Sequence, residues 1–162
     1  MKVDKESLPY RPCVGIVLVN QDWRVFVAQR IDQVVEAWQM PQGGIDPGED
    51  AEAAALREME EEIGTASAEI IARAPELVRY DLPDDLVGKV WKGKYRGQEQ
   101  QWFLLRFTGS DAEIDLETDH PEFNAWRWAT LSELPDVAVP FKRDTYVQVV
   151  AAFRSQFPED RR

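Results

Sequence analysis

Residues 43–65 read GGIDPGEDAEAAALREMEEEIGT, and this segment predicts a turn followed by a helix. Pro47-Gly48 is typical of a tight turn, and the acidic pair after it favours the positive N-terminal end of a helix. Residues 51–63 are rich in Ala, Glu, Leu and Met, which are strong helix formers, and Gly64 is typical of the position after a helix ends. We therefore predict a helix over residues 51–63.

The predicted helix has an apolar side and an acidic side. The apolar stripe consists of Ala55, Met59 and Ile63. On the acidic side Glu58, Glu61 and Glu62 stand at i, i+3 and i+4, so their carboxylates share a neighbouring surface. We expect Glu61 and Glu62 to be surface carboxylates.

Three carboxylates so close together need a compensating charge. Like charges at this spacing destabilise a helix by about 0.2–0.5 kcal/mol per pair, and a solvated face gains nothing from crowding them. The alternative is a solvated acidic run, but this run follows a glycine-rich turn at a defined spacing, which favours a binding site. All-oxygen ligands suit Mg²⁺, with Mn²⁺ or another divalent cation as a substitute, rather than zinc.

Composition predicts one domain over residues 1–162, with an ordered core at about 8–157. No apolar run approaches the roughly 20 residues of a membrane span, and the N-terminus lacks the apolar stretch of a secretory signal. The single cysteine, Cys13, lies in an apolar run and predicts a buried thiol in a cytoplasmic protein. The net charge of −11 repels polyanions, so any attraction for phosphates must be local and metal-mediated. We predict no membrane or DNA partner, and protein partners are unknown from the sequence.

Hydrophobic patterning predicts an α+β domain. Extended segments are expected at 12–19, 23–29, 68–80, 99–108 and 123–129. A second helix is expected within 142–157, and residues 81–97 form a long loop. Strands interleaved with two well-separated helices imply a mixed sheet with helices on both faces.

Residues 43–65 resemble a known motif, the Nudix box, at every charged and glycine position. Only Thr65 departs from it, since an aliphatic residue is usual there. The resemblance covers most of the chain, through YRP at 10–12, WQMPQGGI at 38–45, GQEQQWFLL at 97–105, PEFNAWRW at 121–128 and FKRDTY at 141–146. Together these segments are similar to the branch that contains bacterial RNA pyrophosphohydrolases and diadenosine tetraphosphate hydrolases. The resemblance implies a Nudix-type α/β/α sandwich.

The resemblance also implies roles for individual residues. The implied metal site comprises Gly43, through its carbonyl, with Glu58, Glu61, Glu62 and Glu122. The implied catalytic residues are Glu58 and Glu122, either of which is the general base, and Arg57, which orients the glutamates. The implied substrate contacts are Arg11, Arg30, Gln42 and Lys142 near the phosphates, with Tyr80, Val139 and Phe141 as walls for a nucleobase.

The implied reaction is metal-dependent hydrolysis of a phosphoanhydride bond. Its substrate is either the 5′ end of triphosphorylated RNA, which loses pyrophosphate, or diadenosine tetraphosphate, which is cleaved to ATP and AMP. A dedicated dinucleoside polyphosphate hydrolase and a non-catalytic nucleotide-binding module are the alternatives. The basic segment 89–96, with its interleaved aromatics, is either a solvated loop or a flap over the polyphosphate.

Overall fold

The computed structural model describes residues 4–32 and 36–162. The strands are β1 (Tyr10–Val19), β2 (Val25–Arg30), β3 (Gln42–Gly44), β4 (Ala68–Arg73), β5 (Val78–Asp81), β6 (Gly97–Phe107) and β7 (Phe123–Ala129). The α-helices are α1 (Ala51–Ile63), α2 (Leu134–Val137) and α3 (Arg143–Phe153). All the predicted segments are therefore present, with 68–80 divided into β4 and β5.

The strands form one mixed sheet in the order β4-β6-β1-β2-β7, with β3 paired to β1 and β5 to β6. The pairing of β1 with β6 is parallel, and the other pairings are antiparallel. Tyr10 lies opposite Gly97, so both central strands begin at the same edge of the sheet. This edge also receives β3 and the start of the loop that leads to α1.

The sheet is covered on both faces. Helix α1 buries its predicted apolar stripe in one core cluster, together with alternate β1 residues such as Val14 and Ile16. Helix α3 buries Tyr146 and Val149 in a second cluster, which takes the intervening β1 residues such as Val17. A strand buried on both faces reads as a continuous apolar run, which explains the β1 sequence. The predicted α/β/α sandwich is confirmed.

Two predictions from composition have structural counterparts. Cys13 is 1% exposed and is a free thiol, and burial raises its pKa to about 11. Within the described ranges, no helix is both long and apolar enough to cross a membrane.

Candidate active site

Arg57 ties helix α1 to the loop that precedes it. Its Nε and Nη2 atoms each donate to the Glu49 carboxylate at 2.8 Å, and Nη2 also donates to the Gly44 carbonyl at 2.8 Å. Its Nη1 atom donates to Glu58 at 3.0 Å and to Glu61 at 3.1 Å. The guanidinium lowers the pKa of Glu49 to about 2. Arg57 therefore holds two of the predicted ligands in place, which agrees with the orienting role implied for it.

Glu58 is fixed between Arg57 and the backbone of β3. A Cβ atom at Gly43 would collide with the Glu58 carboxylate, so the first glycine of the box permits this close approach. The side chain is buried, and burial raises the pKa of its carboxyl group. The predicted ligands Gly43 and Glu58 are therefore neighbours.

Glu62 is buried, and the expectation that it is a surface carboxylate was wrong. The residue is only 3% exposed because this side of α1 faces the loop that precedes β7. Burial is the main cause that raises the pKa of Glu62 well above its usual value, followed by the charges of Glu122 and Glu58. Its Oε2 atom has no hydrogen-bond partner among the described residues. Glu61, in contrast, is exposed as expected, with 57% of its side chain accessible.

Glu122 reaches this cluster from a distant part of the sequence. The Ile31 amide donates to the Glu122 carbonyl at 2.9 Å, next to an irregularity in the β2–β7 register. Glu122 and Glu62 line the same pocket beside α1. After burial, the charge of Glu122 is the next cause that raises the pKa of Glu62. Within residues 4–32 and 36–162, no three or more Asp, Glu, His or Cys side chains are already arranged so that they could hold a metal ion. The crowded carboxylates and the unpartnered oxygen of Glu62 nevertheless fit a divalent cation, which removes their mutual repulsion.

A cavity of about 770 Å³ opens beside the carboxylates. Six of the predicted substrate contacts line it: Arg11, Arg30, Gln42, Tyr80, Phe141 and Lys142. The Tyr80 and Phe141 rings lie 6.3 Å apart and are inclined at 47°. Glu58, Glu61 and Glu122 line the same cavity, so it joins the cationic and aromatic side chains to the carboxylates.

Val139 does not line the cavity, in contrast to the implied role as a nucleobase wall. It is only 8% exposed, and its carbonyl accepts a hydrogen bond from the Lys142 amide at 3.0 Å. Phe141 and Lys142, two and three residues later, line the cavity. The role of Val139 as a nucleobase wall stays a prediction.

Several lining residues were missed in the sequence, among them Gln39 and Gln98. The signal for Gln98 was present, because Q-x-Q-x-W places residues 98, 100 and 102 on one face of β6. Trp91 lies in the long loop, and the Arg11 guanidinium sits 5.3 Å from the centre of its ring.

Segment 89–96 lies partly beside the cavity and is partly exposed, and the two alternatives for it stay predictions. Val90 and Trp91 line the cavity, whereas the basic residues of the segment do not. Lys89, Lys92 and Lys94 are exposed. Aromatic and aliphatic side chains, rather than cations, form the loop's contribution to the cavity wall.

Arg30 and Lys142 form a cationic side of the cavity. Arg30 donates to both carboxylate oxygens of Asp32, at 2.7 and 2.8 Å. Lys142 is 7% exposed, and its Nζ atom donates to Gln39 Oε1 at 3.4 Å. Burial, followed by the charge of Arg30, lowers the pKa of Lys142 to about 8. Because this ammonium group is shielded from solvent, its attraction for a phosphate is stronger than it would be in water.

This pKa predicts the alkaline limb of the activity profile. We expect kcat/KM to fall as pH rises through about 8, because Lys142 loses the charge that holds the substrate. Replacing Lys142 with Arg, which stays charged, should shift this limb to higher pH, and Lys142→Met should remove it and lower kcat/KM by about tenfold or more. The measurement is kcat/KM from pH 6 to 10 for the three proteins. An unchanged limb in Lys142→Arg would contradict the assignment.

Comparisons with known proteins identify the family. The model of the NUDIX domain matches residues 9–149. An RNA pyrophosphohydrolase of Sphingopyxis alaskensis is 58% identical over 153 residues, covering 93% of this chain and 97% of that protein. One of Cereibacter sphaeroides is 56% identical over 154 residues, covering 94% and 95%.

Solved structures share the fold. A Caenorhabditis elegans Ap4A hydrolase in a binary complex has a TM-score of 0.64 at 22% identity, covering 91% of this chain and 99% of that one. The Escherichia coli dihydroneopterin triphosphate pyrophosphohydrolase also has a TM-score of 0.64 at 22% identity, covering 88% and 98%. At this identity the likeness concerns the fold alone. The NUDIX model, which matches most of the chain, and the relatives at 56% and 58% identity show that the chain belongs to the Nudix family of hydrolases.

Proposed function

We propose that this Nudix hydrolase removes pyrophosphate from the 5′ end of triphosphorylated RNA and also cleaves diadenosine tetraphosphate to ATP and AMP. The observation that carries the proposal is one cavity in which carboxylates, cationic side chains and aromatic rings meet. The relatives named RNA pyrophosphohydrolase, similar over almost their whole length, support RNA as the first substrate. A cytoplasmic location stays a prediction that agrees with such a substrate.

Nudix hydrolases need a divalent cation, and we propose Mg²⁺, with Mn²⁺ as a substitute, held by the Gly43 carbonyl, Glu58, Glu61 and Glu62, with Glu122 beside them. When bound, the cation neutralises charge on the phosphate oxygens. Arg11, Arg30 and Lys142 hold the non-reacting phosphates, which fixes phosphorus in position for an in-line attack.

The chemistry requires a base. Water forms a new bond to phosphorus, the phosphoanhydride P–O bond breaks, and the proton of the water passes to a carboxylate. Glu58 and Glu122 both line the cavity, but Glu58 is fixed between Gly43 and Arg57. Glu122 is exposed on its loop and has no ion pair with the described basic residues, so we propose Glu122 as the base.

The second candidate is a dedicated dinucleoside polyphosphate hydrolase. Two aromatic groups favour it, because Tyr80 with Phe141 and Trp91 with Tyr95 offer surfaces for two nucleobases. A non-catalytic nucleotide sensor is the weakest reading, since every charged position of the box is filled. The deciding experiment compares kcat/KM for triphosphorylated RNA and diadenosine tetraphosphate with the same enzyme and metal. Turnover of the dinucleotide alone would refute the RNA function.

The charge distribution also predicts how RNA length affects turnover. The chain carries −11 overall, and the cations of the cavity are few, so contacts should reach only the terminal phosphates and the first nucleotides. We expect kcat/KM to stop rising after the first few nucleotides and to depend only weakly on salt. The measurement is a series of RNA lengths at two salt concentrations. Efficiency that climbs over tens of nucleotides with a steep salt slope would reveal a separate RNA-binding surface.

A further inference from the structure

A chain of side-chain amides runs from the hydrophobic core to the cavity. Gln98, Gln100 and Trp102 alternate along one face of β6. The Trp102 Nε1 atom donates to Gln100 Oε1 at 2.8 Å. Gln100 Nε2 in turn donates to Gln98 Oε1 at 2.7 Å and to Gln42 Oε1 at 3.1 Å. Gln42, on β3, and Gln98 both line the cavity.

The indole N–H of Trp102 determines the direction of every hydrogen bond in this series of side chains. An indole N–H is a donor only, so it requires the oxygen of Gln100 and turns the amino group of Gln100 the other way. That amino group has two hydrogens, and each requires an oxygen as its partner. Trp102 is fully buried, so its donor has no water to satisfy it instead. The oxygens of Gln42 and Gln98 are therefore both directed at Gln100.

The amino groups of Gln42 and Gln98 are left for the cavity. Within the part of the chain that the structure describes, neither Nε2 atom donates a hydrogen bond to another protein group. Neither atom is among the fully buried atoms that lack a partner. Gln39 repeats the pattern, because its oxygen accepts from Lys142, which is also a donor only. This side of the cavity thus offers neutral N–H donors beside the cations.

We propose that Gln98 binds phosphate oxygens of the substrate beside Gln42, which the family resemblance already implies as a contact, and that Gln100 is a positioning residue that holds both amides in the donor orientation. This inference rests on the proposed function for the identity of the ligand. Ionised phosphate oxygens only accept hydrogen bonds, so a surface of oriented donors selects them without adding charge. Gln100 contributes through Gln42 and Gln98, not through contact with the substrate.

The test measures affinity for the bis-methylene analogue of tripolyphosphate, which cannot be hydrolysed, by calorimetry in Mg²⁺. Removing a hydrogen bond to a charged group in Gln98→Met should weaken binding by about tenfold or more. Gln100→Met should weaken it by about five- to tenfold, because two amides must then be ordered on binding. In a Gln42→Met/Gln98→Met background, the same Gln100→Met change should have no further effect.

Gln101→Met is the matched control. Gln101 is buried on the opposite face of β6, where its amide donates to the Ala74 carbonyl at 3.1 Å, and it does not line the cavity. Its replacement should leave the affinity unchanged. Side-chain amide NMR signals of Gln42 and Gln98 should shift on addition of the analogue, whereas that of Gln101 should not.

Three results would overturn the inference. Wild-type affinity in Gln100→Met would exclude positioning, and a loss that persists in the double-variant background would show a general structural role. A Gln98 signal that responds to adenosine but not to the analogue would assign this residue to the nucleobase. Binding of the analogue does not depend on turnover. A protein that does not hydrolyse RNA but shows the expected affinities of the variants for the analogue would refute the proposed function and leave this inference intact.

Discussion

Replacing Glu62 with Gln is expected to lower kcat by on the order of a hundredfold or more, even at saturating Mg²⁺. The carboxylate is buried, lacks a partner for one oxygen among the described residues and lies beside Glu58 and Glu122. Gln keeps the shape of the side chain but removes the charge that attracts a cation. The measurement is kcat and metal affinity for the purified variant, on whichever phosphoanhydride substrate the wild type turns over.

The same substitution should stabilise the protein without metal. Folding raises the pKa of Glu62, so the folded state favours the neutral carboxyl group. The contribution of this group to folding stability is therefore fully present at low pH. That stability is lost as pH rises above the ordinary pKa of Glu toward the raised one. Gln stays neutral, so the Tm advantage of Glu62→Gln in a chelator should grow from pH 4 to pH 8.

Glu52→Gln is the matched control for both measurements. Glu52 lies in the first turn of α1, is exposed and does not line the cavity. Its replacement should change kcat by less than about twofold and Tm only slightly. Near-native turnover in Glu62→Gln at saturating metal would contradict the assignment of Glu62 as a ligand.

Replacing Glu122 with Gln is expected to lower kcat by about 10²–10⁴-fold with little change in metal affinity. Glu122 lines the cavity from a loop and is free of the Arg57 network that fixes Glu58, which suits a group that accepts a proton from water. The measurement is kcat and metal affinity for the purified variant.

Glu117→Gln provides the comparison within the same loop. Glu117 is exposed and does not line the cavity, so its replacement should leave kcat unchanged. If raised Mg²⁺ restores the Glu122→Gln variant, Glu122 is a ligand rather than the base. If the kinetics of that variant match the wild type, Glu122 is an ordinary loop residue.

Local features of this protein could be predicted from the sequence with good boundaries. Helix α1 was predicted at residues 51–63, where the structure has it, because helix propensity and the flanking turn residues act over a few positions. The apolar run of β1 was predicted as an extended segment, and the structure buries it on both faces. The shared side of Glu58, Glu61 and Glu62 follows from helical geometry alone.

The tertiary structure decided which of these residues are buried and which distant ones join them. Helical spacing treats Glu61 and Glu62 alike, but the loop before β7 covers only Glu62. The family resemblance implied Val139 and Phe141 together as walls for a nucleobase, but the structure buries Val139 and exposes Phe141.

The assembly of the cavity depends on contacts between segments far apart in the chain. The parallel register of β1 and β6 brings Arg11 opposite Gln98, and the contact of Ile31 with Glu122 places a loop carboxylate beside α1. The orientation of Gln100 depends on the buried indole N–H of Trp102, which requires the Gln100 oxygen as its acceptor. Sequence spacing therefore determined which side chains share an element. Only the sheet register and burial, which depend on non-local packing, determined their neighbours, their protonation and the direction of their hydrogen bonds.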